Sequence, residues 1–163
     1  MSARDEALYY RRSRFTTHLP RDRRYSPAHY WLFEKSPGIW RVGLTKFATR
    51  MLGDIVEFEL TVAPGTNVGL GDEIGSIEGL KAVTSLFAAG SGVLLGEGAG
   101  LRRDVTLAES DPYGEGWLYR LLGAPASDAV DVEGYVAILD ATIDKMLANR
   151  HAGMESSEEP DER

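Results

Sequence analysis

Lys81 is placed where a covalent modification could reach it. It closes the stretch Gly71-Asp72-Glu73-Ile74-Gly75-Ser76-Ile77-Glu78-Gly79-Leu80-Lys81, in which Gly79 and its neighbours put little bulk beside the amine. Ile74 and Ile77 before it, and Val83 and Leu86 after it, are spaced as strand residues are. The pattern predicts a β-hairpin with Lys81 at its tip, in solvent between two anchored strands. A lysine so placed suits a modifying enzyme that acylates Nζ and turns the side chain into a swinging arm. A solvated lysine in an ordinary surface turn is the alternative, because lysine is exposed in most settings.

Other residues offer little chemistry. The histidines are His18, His29 and His151, with no partner spacing for metal ligation or nucleophile activation. His29 reads as a packed or capping side chain. The chain has no cysteine, which removes disulfides, a thiol nucleophile and thiolate metal sites, and fits a reducing, cytoplasmic interior. Gly90-Ser91-Gly92 reads as a turn between strands and lacks the lysine and following helix of a phosphate loop. These features describe a carrier without an active site of its own, the chemistry lying on an attached group and on partner enzymes.

The elements that would position Lys81 are mostly strands. Tyr30–Phe33, Ile39–Leu44, Ile55–Leu60, Gly92–Leu95 and Trp117–Leu121 carry strand composition, and 18 glycines supply turns. Thr45 reads as the cap of a short helix reaching Met51. Val132, Tyr135, Val136, Leu139, Ile143 and Leu147 recur at helical spacing, so a C-terminal helix packs one face on the sheets. Trp31, Trp40 and Trp117 are expected to fill the core between those sheets.

At 163 residues and 43% hydrophobic, the chain can bury a core without metal or disulfide help. No apolar run is long enough to span a bilayer, and the start lacks a signal-peptide core. The net charge of -7 argues against nucleic-acid binding and favours partners with basic docking faces. That charge is unevenly spread. Arg4, Arg11, Arg12, Arg14, Arg21, Arg23 and Arg24 crowd the start, while Glu155, Glu158, Glu159, Asp161 and Glu162 crowd the end. The expected division is a basic N-terminal extension at 1–24, solvated or docking a partner, a domain at 25–150, and an acidic disordered tail at 151–163.

Several blocks in order resemble the glycine cleavage system H protein family, from about Tyr25 to Leu147. They are Tyr25-Ser26-Pro27-Ala28-His29-Tyr30-Trp31, Val42-Gly43-Leu44-Thr45-Lys46-Phe47-Ala48, Leu52-Gly53-Asp54-Ile55-Val56, the lysine hairpin, and Asp111-Pro112-Tyr113-Gly114-Glu115-Gly116-Trp117-Leu118. Gly71 lies ten residues before Lys81 and Gly92 eleven after, at positions where lipoyl domains keep glycine. The resemblance implies a mainly β fold, a lipoyl-domain-like barrel-sandwich hybrid of two small antiparallel sheets with short helices and a C-terminal helix. It also implies lipoate attached covalently to Lys81. Leu80 and Ala82 occupy the places where biotinyl domains put methionine, and Glu78, three residues before the lysine, fits H proteins rather than 2-oxoacid dehydrogenase carriers. The implied role of Glu78 is recognition by a lipoate ligase or lipoyl transferase.

The resemblance has one departure that bears on cargo. H proteins hold the aminomethyl group with a carboxylate after the histidine of the opening block and another four residues after the lipoyl lysine, and here those residues are Tyr30 and Ser85. Ala89 stands at a usual proline, and Leu60-Thr61-Val62 replaces a Leu-Pro-Glu turn. Neither Tyr30 nor Ser85 supplies a negative charge, so a cation in the cleft would lose its charge-assisted hydrogen bonds, each worth roughly 1.5 to 3 kcal/mol. Glu34 or Glu115 are the carboxylates that could substitute. On this ground the reading leans to an H-like carrier in sulfur oxidation beside a heterodisulfide-reductase-like complex. The alternative is the glycine-cleavage carrier, serving glycine decarboxylase, aminomethyltransferase and dihydrolipoamide dehydrogenase. A third reading is an interaction module or lipoyl relay that no longer uses the arm.

Overall fold

Alternation with a period of two divides the strand Tyr30–Ser36 between two cores, because that strand of the larger sheet is covered on both faces. The computed structural model describes residues 6–158. In chain order the elements are β1 (Ala7–Arg12), β2 (Phe15–Pro20), β3 (Arg24–Tyr25), β4 (Tyr30–Ser36), β5 (Ile39–Leu44) and α1 (Lys46–Leu52). Then come β6 (Ile55–Leu60), β7 (Asn67–Val68), β8 (Glu73–Gly79), β9 (Val83–Phe87) and β10 (Gly90–Glu97). The chain continues through α2 (Ala99–Arg103), α3 (Leu107–Ser110), β11 (Tyr119–Pro125) and α4 (Val132–Glu158). A six-stranded sheet in the order β3-β4-β5-β11-β10-β7 faces a three-stranded sheet β6-β8-β9, and β1-β2 forms a separate hairpin. All pairings are antiparallel. The mainly β sandwich expected from the sequence is therefore present, with one sheet larger than expected and a hairpin added.

Leu32, Val42, Ile74, Ile77, Leu94 and Leu121 fill the space between the two sheets and are almost wholly buried. On the outer face of the larger sheet, Tyr10, Leu19, Tyr25, Trp31, Tyr135 and Leu139 form a second core under the hairpin and α4. The tryptophans depart from expectation. Trp31 and Trp117 belong to this outer core, because Trp31 points opposite to its neighbours Tyr30 and Leu32, and only Trp40 packs against the inner one. The Trp31 indole lies across Gly43, where a Cβ would meet its ring at 2.5 Å, and its Nε1 donates to the Pro112 carbonyl at 2.9 Å. Gly90 and Gly92 are not a turn but the start of β10.

The arginine-rich start is not an appendage. It folds as β1-β2, whose Tyr10 and Leu19 are buried, so the boundary expected at residue 24 has no counterpart in the packing. Its charges tie the hairpin to α4. Arg12 donates twice to Asp144 at 2.8 and 2.7 Å and lies 3.3 Å from Asp140, which also accepts from the Tyr10 hydroxyl at 2.8 Å. Arg23 stacks over Trp31 with its guanidinium carbon 4.7 Å from the ring centroid. The tail expected from residue 151 is helical as far as Glu158, and residues 159–163 lie outside the described ones.

If the hairpin is part of the fold, truncating its best-buried side chain must leave a cavity in the outer core. Leu19→Ala is expected to lower unfolding stability by about 2 to 5 kcal/mol in chemical denaturation. A loss near zero would return the segment to the status of a solvated extension.

Candidate functional site

Lys81 stands at the tip of the β8-β9 hairpin, as expected. Ser76 pairs with Ser85, Ile77 with Thr84 and Glu78 with Val83, leaving Gly79-Leu80-Lys81-Ala82 as the turn. Ile74, Ile77 and Leu86 face inward and anchor both strands, whereas Leu80 is 73% exposed and Lys81 and Glu78 are exposed too. The backbone of the turn is not free. Gly79 N–H donates to the Ala82 carbonyl at 2.8 Å, Leu80 N–H to the Asp54 carbonyl at 2.9 Å, and Lys81 N–H to the Leu52 carbonyl at 2.9 Å.

This docking needs two glycines. A Cβ on Gly79 would collide with the Leu52 carbonyl oxygen, and Gly53, at φ +76°, passes under the Lys81 stem, where a Cβ would lie 2.9 Å from Cγ. Sequence reasoning missed the contribution of Leu52 and Asp54, because main-chain acceptors leave no side-chain signal. Gly71 and Gly92, expected at the cofactor site, have backbone roles instead. Gly71 turns into the far end of β8 at φ +84°, and a Cβ on Gly92 would collide with the Leu122 carbonyl across the β10-β11 ladder.

Beside the turn lies a cleft of about 500 Å³, walled by His29, Tyr30, Met51, Val83, Ser85 and Phe87 among others. The structure thus brings Tyr30 and Ser85 together in one cleft, and among the described residues no carboxylate lines it. Tyr30 is buried, its hydroxyl accepts from Phe87 N–H at 3.0 Å, and burial pushes its ionisation upward. The substitute carboxylates are not in this cleft. Glu34 accepts from Gly38 N–H in the β4-β5 turn, and Glu115 is exposed in the 111–116 turn.

His29 connects the cleft wall to the outer core. Its Nδ1 lies 2.8 Å from the Tyr135 hydroxyl, which lies 2.7 Å from Thr45 Oγ1, the side chain capping α1. Burial lowers the imidazole pKa to about 4, so His29 is neutral in the folded protein at neutral pH.

A family model of the glycine cleavage H-protein matches residues 23–139. The chain belongs to that family. The glycine cleavage system H protein of Pseudoalteromonas atlantica is 38% identical over 125 residues, covering 77% of this chain and 92% of the relative. That of Shewanella oneidensis is 33% identical over 127 residues, covering 76% and 98%. The crystal structure of a glycine cleavage system H protein from Mycobacterium marinum superposes with a TM-score of 0.66 at 31% identity, covering 73% of this chain and 97% of that one.

Glycine cleavage H-proteins carry a lipoate attached covalently to a lysine. The matched span contains the whole Lys81 hairpin, the Leu52-Asp54 acceptors and the Tyr30-Ser85 cleft. The β1-β2 hairpin and the part of α4 after Leu139 lie outside it.

The His29 environment sets a pH dependence. Its pKa in the fold is below the ordinary value near 6.5, so protonation favours the unfolded chain; its contribution to stability is complete above about pH 6.5 and is lost as pH falls through about 4. His29 has φ +71°, which asparagine tolerates. His29→Asn is expected to flatten the stability profile over that window relative to wild type, measured by denaturation at stepped pH. Parallel profiles would show that the imidazole does not titrate there.

Proposed function

We propose that the chain is a lipoyl carrier of the glycine cleavage type, with Lys81 as the lysine that bears the lipoyl group. The observation that carries the reading is the pairing of an exposed Lys81 side chain with a turn whose backbone is bonded to the α1-β6 connection. The base of the arm is fixed and its stem lies over Gly53, while the end of the side chain is free to sweep. When attached, the lipoyl group supplies a dithiolane that takes up and releases a group between partner enzymes. The protein contributes a rigid pivot, and tethering keeps the arm's end at high local concentration around the cleft. Glu78, exposed beside the amine, is the recognition residue for a lipoate ligase or lipoyl transferase.

The partners of this reading are glycine decarboxylase, aminomethyltransferase and dihydrolipoamide dehydrogenase. The relatives described above are named for glycine cleavage, which favours this assignment over the sulfur-oxidation role and its heterodisulfide-reductase-like partner. One feature favours a cargo without an amine as the second reading: the Tyr30-Ser85 cleft has hydroxyl oxygens where a cationic amine would find its best acceptors in carboxylates. Among the described residues no helix is long and apolar enough to cross a membrane.

Two measurements test these statements. Intact-mass and peptide mapping of protein made with its own lipoylation machinery should show one amide-linked lipoyl group, on Lys81, and Glu78→Ala should slow its attachment without changing the fold. An adduct on Lys35 or Lys46, or none at all, would remove the carrier assignment.

Cargo is tested by glycine decarboxylase exchange with the lipoylated protein. Glycine-cleavage function requires activity comparable to that of an ordinary H protein. If activity is instead low and Ser85→Asp raises it by about tenfold, the gain expected of one charge-assisted hydrogen bond, the cleft suits a cargo without an amine.

A further inference from the structure

A second and larger cleft, of about 710 Å³, opens beside Lys81, within the range of sites that hold small molecules. The tip of the β1-β2 hairpin, α1 and the distal part of α4 enclose it. Phe15, Phe47, Met51 and Met146 form its apolar wall, and Lys81 itself lines it. Phe47 and Met51 also wall the Tyr30-Ser85 cleft, so the two clefts flank one ridge within reach of the same lysine. Most of this second cleft is built from residues 12–15 and 143–150, outside the family match at 23–139.

Its charge is one-sided. Arg14, Arg50 and Arg150 line it from three separate elements and are exposed. Among the described residues none of the three makes an ion pair, whereas Arg12 beside them is held by Asp140 and Asp144. Among the described residues no histidine and no carboxylate lines the cleft. Acylation of Lys81 would remove its own cation and leave an apolar trough rimmed by guanidinium groups. An arm bearing an ammonium is repelled there, and an arm bearing an anion is held.

We propose that this cleft is a second seat for the arm on Lys81, taking it in the reduced state, with its hydrocarbon chain on Phe15, Phe47, Met51 and Met146 and its thiolate facing the arginines. The inference rests on lipoylation of Lys81. Reduction by a dithiol or phosphine donor, which gives up two electrons and is itself oxidised, breaks the sulfur–sulfur bond with uptake of two protons, and loss of one proton to solvent gives the thiolate that the guanidinium groups favour. The state of the arm then selects the cleft, one side of the ridge for a cationic or neutral load and the other for the reduced arm.

The absence of cysteine makes the test specific, since the only thiols in the reduced holoprotein are those of the arm. Full-length lipoylated protein, verified by mass, is reduced with a trialkylphosphine, which becomes the phosphine oxide as water supplies the oxygen and both protons. Alkylation by iodoacetamide, in which a sulfur–carbon bond forms and iodide leaves, is followed against pH. The midpoint is expected at least about one pH unit below that of free dihydrolipoamide, and Arg14→Gln/Arg50→Gln/Arg150→Gln should return it to the free value. Amide resonances of Phe15 and Met146 should move when the arm is reduced.

A midpoint equal to that of free dihydrolipoamide, a triple variant that behaves as wild type, or shifts confined to Val83–Phe87 would each overturn the seat and leave lipoylation standing. A chain that takes no lipoyl group overturns both.

Discussion

The Leu52 carbonyl is the point on which the site depends. It accepts from Lys81 N–H at 2.9 Å, and the neighbouring Asp54 carbonyl accepts from Leu80 N–H at the same distance. A four-residue turn with exposed side chains would otherwise be among the least ordered parts of a β protein. Here the Gly79, Leu80 and Lys81 amides are paired, so the lysine leaves a fixed base. Where Leu52 sits is decided further away. It ends α1, which is capped by Thr45; Thr45 is bonded to the Tyr135 hydroxyl, and Tyr135 is buried on α4. A chain of contacts thus runs from the C-terminal helix to the arm.

That dependence gives the added elements a purpose. A two-stranded hairpin on its own is marginal in water, and β1-β2 persists because Tyr10 and Leu19 share a core with α4 and the outer face of β4. The ion pairs from Arg12 to Asp140 and Asp144 are half-exposed and contribute little individually; they fix register more than they stabilise. The apolar burial does the stabilising. In return the hairpin tip supplies Arg14 and Phe15 to the ground beside Lys81, so the same packing holds the helix and builds a wall next to the arm.

The parts of this structure that were legible in the sequence are those whose signal is local. The Lys81 turn, β5, β6 and α1 with its Thr45 cap follow from alternation, glycine placement and capping chemistry, and they appear where the pattern puts them. What was not legible depends on partners distant in sequence. Arg11, Arg12 and Arg14 dominate the composition of the first hairpin and conceal the positions Tyr10 and Leu19, whose burial depends on α4 more than a hundred residues away. Trp31 and Trp117 were assigned to the wrong layer because periodicity shows that two faces exist without showing which one a given helix will cover. Gly71 and Gly92 are spaced about Lys81 as a site would be, yet each answers to a backbone constraint of its own.

Net charge is equally poor as a guide to the site. The chain carries -7 overall, which points to basic partners. In the larger cleft beside Lys81 the sign is reversed, since among the described residues its guanidinium groups are not offset by any carboxylate lining it. At physiological ionic strength, charges more than about 8 Å away are largely screened, so a group carried on Lys81 would respond to the arginines beside it and not to the total. The acidic surface and the basic cleft therefore act on different bodies. One sets the charge that a protein partner meets at contact, and the other sets the local charge that any group carried on Lys81 would meet.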